Sequence, residues 1–173
     1  IRGFDNMFRS KLALAAVAGA LAIAPMASGA NIIFNDFSST AGLTLNGNTA
    51  TVSNVLRLVP ANFAQSGSAF SSTQINANSF STYFQFRITN IVNSGADGLV
   101  FVIQPVSSSI GGGGGGEGYQ GITPSVGIEF DTFPNAWDPN GNHIGVLTNG
   151  SVSTYVAGPV TPSTSMENGN VWS

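Results

Sequence analysis

The sequence predicts an all-β domain built as an antiparallel sandwich. Residues 31–173 are rich in Ser, Thr, Asn and Gly, and their aromatic and β-branched residues come in short runs. Such runs are typical of strands, and they recur roughly every 10–15 residues with no helical period between them. Strands that have no helices to pack against bury their apolar faces on one another, which favours a two-layer sandwich.

Individual segments support this fold class. FSTYFQFRI, residues 80–88, places Phe80, Phe84 and Phe86 on one face of an expected strand. DGLVFVIQP is almost wholly apolar and predicts a central strand. LTLNGNTATV contains Asn46-Gly47, a pair typical of tight turns between strands. Further strands are expected in NVLRLV, SVGIEFDTF, HIGVLT and SVSTYVA.

The first thirty residues divide into two parts. Residues 1–6 have no clear role, whereas residues 7–30 have a basic start, a short apolar core, a proline and small residues at the end. These features predict a signal peptide, and the apolar core is too short to span about 30 Å of hydrocarbon. We therefore expect a protein that is secreted or displayed at the cell surface, with its domain at residues 31–173 and no membrane span within it. The alanine-rich core suits a bacterial exporter.

Charge and cysteine content exclude several classes. Residues 31–173 contain seven acids and two bases, a formal net charge of −5. Two cations cannot supply the phosphate contacts of a nucleic-acid binder. The chain has no cysteine, so no disulfide stabilises the fold, and a bound metal could do so instead. The glycine run in SSSIGGGGGGEGYQG predicts a loop, and it lacks the Lys-Ser/Thr of a phosphate-binding P-loop.

The scarce acidic residues gather in the segment SVGIEFDTFPNAWDPNGNHIGV. Glu129 and Asp131 share one face of an expected strand, with Cα atoms about 7 Å apart, and would repel unless a cation or a proton lay between them. The following turn returns Asp138 and His143, the only histidine, and adds the amide of Asn135. This arrangement predicts a metal site, and a solvated acidic turn with a surface histidine is the alternative.

The ligand types point to two kinds of ion. Carboxylate, amide and carbonyl oxygens suit Ca²⁺, and an imidazole among carboxylates suits a transition ion such as Mn²⁺, ahead of Mg²⁺ or Zn²⁺. Asp131 and Asp138 could bridge both ions because each has two oxygens. The spacing of an EF-hand loop is absent.

The same segment resembles the metal-binding segment of legume-type (L-type) lectins, V-x-V-E-F-D-T-[FY]-x-N…D-P…H-I-G-[IV]. FSTYFQFRI, GADGLVFVIQP and ATVSNVLRLV resemble three other segments of that family, in the family's order, so the resemblance covers residues 31–172. It implies a jelly-roll-like, concanavalin A-like antiparallel sandwich that binds glycans without catalysis. The chain is similar to a secreted bacterial member that is truncated, since it ends at VWS as a strand would open.

The resemblance also implies specific roles. The transition ion would be bound by Glu129, Asp131, Asp138 and His143, and Ca²⁺ by Asp131, the Phe133 carbonyl, the Asn135 side chain and Asp138. Sugar would be bound by Asp97, Asn135, an N–H of Gly118 or Gly121 and an aromatic ring of Phe133 or Trp137. The peptide bond between Ala96 and Asp97 would be cis. We also expect a homodimer formed through sheet edges.

Two other functions compete with sugar binding. Some sandwich-fold glycoside hydrolases carry E-x-D-x-x-E on a strand, but EFDTFP has Pro134 at the place of the second glutamate. We therefore expect that the protein is not an enzyme. A structural or adhesin module, in which metal only stiffens the loops, would bind no sugar.

Overall fold

The computed structural model describes residues 31–92 and 94–173; residues 1–6 and the predicted signal peptide at residues 7–30 lie outside that part. Within the described residues the elements are eight strands and one short 3-10 helix at Gly114–Gly116. The strands are β1 (Leu43–Gly47), β2 (Ala50–Val52), β3 (Val55–Arg57), β4 (Gly67–Ser71), β5 (Gly98–Ile103), β6 (Val126–Asp131), β7 (His143–Thr148) and β8 (Tyr155–Val160). The expectation of an all-β, antiparallel fold is confirmed.

The largest sheet contains β5, β6, β7 and β8 in chain order, each antiparallel to the next. In its register Gly98 lies opposite Asp131, and Asp131 lies opposite His143. The start of β5, the end of β6 and the start of β7 therefore meet at one end of the sheet. This is the end at which the acidic segment makes its turn.

The smaller strands form two antiparallel pairs, β1 with β4 and β2 with β3. The predicted turn at Asn46-Gly47 is confirmed, because the N–H of Thr49 donates to the carbonyl of Asn46 at 3.3 Å. The strands on either side of this turn do not pair with each other. Gly47 has φ 60°, and a methyl group there would lie 2.2 Å from the Ser66 carbonyl oxygen, so the corner requires glycine.

Two strand predictions are wrong. Residues 80–88 are extended but form no strand, because the described residues give this segment a ladder partner only at Phe86, which exchanges hydrogen bonds with Trp172. Its aromatic face is still used, since Phe84 stacks on Phe101 with ring centroids 5.3 Å apart. The strand β5 lies at the edge of the described sheet rather than at its centre, because only β6 pairs with it.

The β6 strand separates the two faces of the large sheet, as the alternation of its residues predicts. Phe130 packs on Phe86 on one face, with centroids 4.9 Å apart. The other face carries a small core in which Tyr119 and Leu147 are fully buried, each such side chain being worth about 1.5–3 kcal/mol. Tyr119 comes from the glycine-rich segment, so that segment lies on the same face as Glu129.

One sequence expectation concerns the membrane. Within residues 31–92 and 94–173, no helix has the length and apolar character needed to cross a bilayer.

Candidate metal centre

Three titratable side chains are buried where β6 and β7 meet. Glu129 is 1% exposed, Asp131 2% and His143 0%. The two acids alternate along β6 and share a face, and the antiparallel register sets His143 across from Asp131. Carboxylates this deeply buried require a counter-charge or a proton.

The orientation of His143 is fixed by the loop. Its Nδ1 lies 2.7 Å from the carbonyl oxygen of Asn140. A carbonyl only accepts hydrogen bonds, so Nδ1 carries a proton, and in the neutral tautomer the lone pair is on Nε2. Nε2 lies 3.3 Å from Oε2 of Glu129. The lone pair therefore points toward the acids, as a metal-binding imidazole requires.

The loop between β6 and β7 is folded around its own carboxylates. Oδ1 of Asp131 accepts the N–H of Phe133 at 2.7 Å, and Oδ2 of Asp138 accepts the N–H of Asn135 at 2.8 Å. The N–H of Asp138 donates in turn to the Asn135 carbonyl at 3.1 Å. Oδ1 of Asn135 is buried and makes no hydrogen bond to any described residue. The structure thus brings together the residues predicted to hold Ca²⁺, with one oxygen left for a ligand.

Asp97 lies beside this loop, immediately before β5. The Ala96–Asp97 peptide bond is cis, as expected. The Asp97 carbonyl accepts the N–H of Thr132 at 2.8 Å, which ties the two segments together. Burial raises the pKa of the Asp97 carboxyl, a hydrogen bond with the Asn135 side chain opposes the rise, and the charge of Asp138 adds to it. Asp97 and Asn135 are therefore in contact, as the prediction of a shared sugar site requires.

The glycine-rich segment approaches the site through a residue that the sequence did not single out. The N–H groups of Gly118 and Gly121 donate to backbone carbonyls at 2.8 and 3.0 Å, so both are already used inside the fold. Gly115 is the glycine next to Asn135, because a methyl group there would lie 2.9 Å from its Oδ1. In a run of six glycines, local sequence gave no means to choose Gly115.

The two candidate stacking rings lie in the loop that joins β6 to β7. Trp137 is 46% exposed and offers its ring to solvent. Phe133 is half-buried and follows Asp131 by two residues. Of the two, Trp137 presents the more accessible aromatic face.

Glu117 is a site residue that the prediction missed. The ligand atoms of Glu117, Glu129 and Asp131 lie within 4.8 Å of one another. Burial raises the pKa of Glu117 to about 10, and the charges of Glu129 and Asp131 add to the rise. The available clue was that Glu117 is the lone charged residue in the glycine-rich segment, but nothing local indicated which way it points.

Tyr155 was also missed. Its hydroxyl lies 2.6 Å from Nε2 of His143 and 3.3 Å from Oδ1 of Asp138. Burial raises the pKa of this hydroxyl, and the charges of Glu129 and Asp138 add to the rise. The tyrosine therefore stays protonated; its hydroxyl donates to Oδ1 of Asp138 and also forms a hydrogen bond with Nε2 of His143. An ion bound to Nε2 must displace that hydrogen bond.

These side chains fit divalent cations. Two groups of three ligand residues share Asp131, and in each group the ligand atoms lie within 4.8 Å of one another. The first group is Asp131, Asp138 and His143, and the second is Glu117, Glu129 and Asp131. Burial and the charge of Asp138 raise the pKa of Asp131 to about 7, against the hydrogen bond from Phe133. Hard oxygen donors suit Ca²⁺, and the imidazole adds a ligand suited to a transition ion.

Comparison with known proteins agrees with this geometry. Residues 30–173 match the family model described as Legume lectin domain. The chain belongs to the legume lectin family. The basic agglutinin of Psophocarpus tetragonolobus is 42% identical over 97 residues, which are 53% of this chain and 40% of that protein. The chain therefore spans less than half the length of this curated relative.

Solved structures show the same fold. Peanut lectin with a 9mer peptide superposes with a TM-score of 0.65 at 29% identity, over 84% of this chain and 69% of that one. Basic winged bean lectin with Tn-antigen superposes with a TM-score of 0.58 at 26% identity, over 80% and 65%. The concanavalin A-like fold is thus confirmed for this legume lectin domain. The prediction that this domain is not an enzyme is also confirmed, by its match to the legume lectin domain and to lectins such as basic agglutinin and peanut lectin.

Proposed function

We propose that this legume lectin domain is secreted and binds glycans in a metal-dependent way. The observation that carries the proposal is the placement of Asp97 beside the loop that carries Asn135: the Asp97 carbonyl accepts the N–H of Thr132 at 2.8 Å, and the Asn135 side chain is close enough to lower the pKa of the Asp97 carboxyl against its burial. A pair of neighbouring sugar hydroxyls needs one acceptor and one donor held at a fixed separation. A carboxylate beside an amide supplies both.

Metal binding would make this pair rigid. Asn135 and Asp138 are joined by two hydrogen bonds, one from each N–H. Ca²⁺ held by Asp131, Asp138, the Asn135 side chain and the Phe133 carbonyl would fix the amide that faces Asp97. Ordering this loop before sugar binds removes an entropic cost from binding, so the affinities for metal and for glycan should be linked.

The second ion would be Mn²⁺ or another divalent transition ion, with Glu129, Asp131, Asp138 and His143 as ligands. Its role would be to neutralise the buried carboxylates, and it would take no part in making or breaking bonds. The tautomer of His143 supports this assignment, because its Nε2 lone pair faces Glu129.

The apolar face of a sugar would stack on an aromatic ring of the same loop. Trp137 is the better candidate because 46% of it is exposed. A solved relative, basic winged bean lectin, is in complex with Tn-antigen, which supports a glycan ligand here. Gly115 joins Gly118 and Gly121 as a candidate for the backbone donor, because it alone of the three lies against Asn135.

Two further points belong to the proposal. Residues 7–30 would direct secretion, which places the domain outside the cell or on its surface. Two copies would associate through the edges of the large sheet, formed in the described chain by β5 and β8. Sedimentation of the purified protein would show a dimer if this second point is right.

Glycan-array binding tests the function. The protein would be stripped with EDTA, then assayed with and without added Ca²⁺ and Mn²⁺, alongside Asp97→Asn and Asn135→Ala. Asp36→Asn is the matched control, because Asp36 is exposed and bonds only to Ser38 among the described residues. We expect binding only by the metal-loaded wild type and the control. Binding that survives EDTA would contradict metal dependence, and metal binding without glycan binding would favour the structural module.

A further inference from the structure

The feature that goes beyond the family's ligand set is Glu117, at the end of the 3-10 helix. Glu117 is left-handed, with φ 50° and ψ 27°, and its N–H donates to the Gly114 carbonyl at 2.8 Å. Residues other than glycine adopt this conformation uncommonly. Here the conformation turns the side chain away from solvent and toward the acids of β6.

Space for its carboxylate exists because residue 98 is glycine. A methyl group on Gly98 would lie 2.3 Å from Oε1 of Glu117. Gly98 is opposite Asp131 in the β5–β6 register. The carboxylate of Glu117 therefore occupies the place of a missing side chain, directly beside a buried acid of the metal centre.

The oxygens that meet there are unsatisfied. Across residues 31–92 and 94–173, neither carboxylate oxygen of Glu117 finds a hydrogen-bond partner, and both are buried. The same holds for Oε2 of Glu129, whose side chain is 1% exposed. A buried carboxylate with no partner costs stability unless it gains a proton or a cation.

Among residues 31–92 and 94–173, no lysine or arginine lies beside these acids. Arg57 and Arg87, the two basic residues of the domain, are both exposed. Nε2 of His143 lies 3.3 Å from Oε2 of Glu129, but one imidazole cannot offset three carboxylates. A divalent ion is the remaining counter-charge of the right size and geometry.

We propose that Glu117 is an additional metal ligand, which binds a hard divalent cation together with Glu129 and Asp131. The inference rests on the proposed metal dependence and extends it, because the set implied by the family resemblance has no residue from the glycine-rich segment. With all three ligands carboxylates, Ca²⁺ and Mn²⁺ are the ions to test. Asp131 belongs to both ligand groups, so Glu117 would add a ligand to the ion that Glu129, Asp131, Asp138 and His143 hold in the proposed function.

Such a ligand would also link the metal to the sugar-binding loops. Gly115, two residues before Glu117, lies against Asn135. An ion that holds Glu117 would therefore fix the glycine-rich segment relative to the loop that carries Asn135. Metal binding would order both walls of the proposed sugar site.

Metal titration of Glu117 variants tests the inference. Wild type, Glu117→Gln and Asp36→Asn would be stripped of metal, then titrated with Ca²⁺ and with Mn²⁺ in a calorimeter, with bound metal counted by mass spectrometry. We expect Glu117→Gln to lose one equivalent, or to bind at least one ion about tenfold or more weakly, the scale on which ligand-shell changes act. The control should match wild type. Glutamine keeps the size and hydrogen bonding of a protonated glutamic acid, so unchanged binding by Glu117→Gln would overturn the proposal.

Thermal unfolding gives a second readout, because Glu117→Leu should raise the metal-free midpoint but reduce the gain that metal brings. In Glu117→Leu, the metal-free protein should melt above wild type, because a buried carboxyl group without a hydrogen-bond partner is gone, while added metal should raise its midpoint less. A lower metal-free midpoint together with wild-type metal affinity in Glu117→Gln would show a purely structural role. If wild type itself bound no metal, both this inference and the proposed metal dependence would fail. If wild type and Glu117→Gln bound metal and glycan equally, only this inference would fail.

Discussion

Removing the metal should make the stability of this domain fall as the pH rises. Burial raises the pKa of Asp131 from 3.8 to about 7 and that of Glu117 from 4.5 to about 10 in the folded, metal-free protein. In the unfolded chain both groups ionise at their ordinary values. Between those two limits the folded state holds protons that the unfolded state has released, so unfolding becomes more favourable with each step up in pH.

The size of the effect follows from the Asp131 value alone. A rise from 3.8 to about 7 corresponds to about 4 kcal/mol, at about 1.4 kcal/mol for each tenfold change in proton affinity. This stability is present in full below the unfolded pKa and is lost by the time the pH passes the folded pKa. It is a large part of the roughly 5–15 kcal/mol that a domain usually has. Glu117 extends the loss to higher pH, because its folded pKa is about 10.

Calorimetric melting of EDTA-treated and metal-loaded protein at about pH 5 and about pH 8 would measure how the stability of each form changes with pH. The metal-free midpoint should drop between the two, and the metal-loaded midpoint should change much less, because bound ions keep the carboxylates charged in the folded state. The gain from metal should therefore be larger at the higher pH. A metal-free midpoint that is constant or rises from pH 5 to pH 8 would refute the reasoning.

Three other changes test single contacts. Tyr155→Phe removes the hydroxyl that lies 2.6 Å from Nε2 of His143. The variant should bind Mn²⁺ more tightly than wild type and Ca²⁺ equally well. A titration that gives the same Mn²⁺ affinity for variant and wild type would contradict this. Gly98→Ala puts a methyl group 2.4 Å from a backbone carbonyl oxygen of β6. Chemical denaturation should show that the free energy of unfolding falls by about 1–3 kcal/mol. A variant as stable as wild type would show that β5 and β6 can move apart to make room for the methyl group. Gly115→Ala presses on the amide of Asn135, 2.9 Å away; glycan binding on the array should weaken while the metal content stays the same, and unchanged glycan binding would remove this loop from the sugar site.

The β6–β7 part of the centre was predictable because it depends on local rules. Strand alternation sets Glu129 and Asp131 on one face, and a short antiparallel connection must return His143 to their end of the sheet. The contact between Asp97 and Asn135 joins distant segments, and it was expected only through the family resemblance. Both kinds of expectation survive in the structure as contacts.

Other features could not be predicted from the sequence because they depend on which segments become neighbours. Periodicity shows that residues 80–88 are amphipathic, but a strand also needs a ladder partner, and the described chain supplies one only at Phe86. An apolar run such as that of β5 indicates that both faces of the strand are covered. It does not indicate whether the strand lies at the centre or at the edge of the sheet. The inward turn of Glu117 depends on a left-handed backbone and on the space beside Gly98, and neither leaves a local pattern.

The distribution of charge explains how a domain without cysteine can tie its loops together. Asp97, Glu117, Glu129, Asp131 and Asp138 are five of the seven acids of the domain, and the other four all act on the carboxyl of Glu117. They arrive from three separate stretches of chain, so an ion bound among them closes long loops, as a disulfide would. Two divalent ions carry four positive charges against these five carboxylates, so the cluster can accept both ions. Each ion that binds only the folded state adds about 2.7 kcal/mol at a hundred times its Kd. If the domain binds these ions, as we propose, they would offset the mutual repulsion of the five carboxylates, which in the metal-free protein is relieved by protonation of Glu117 and Asp131.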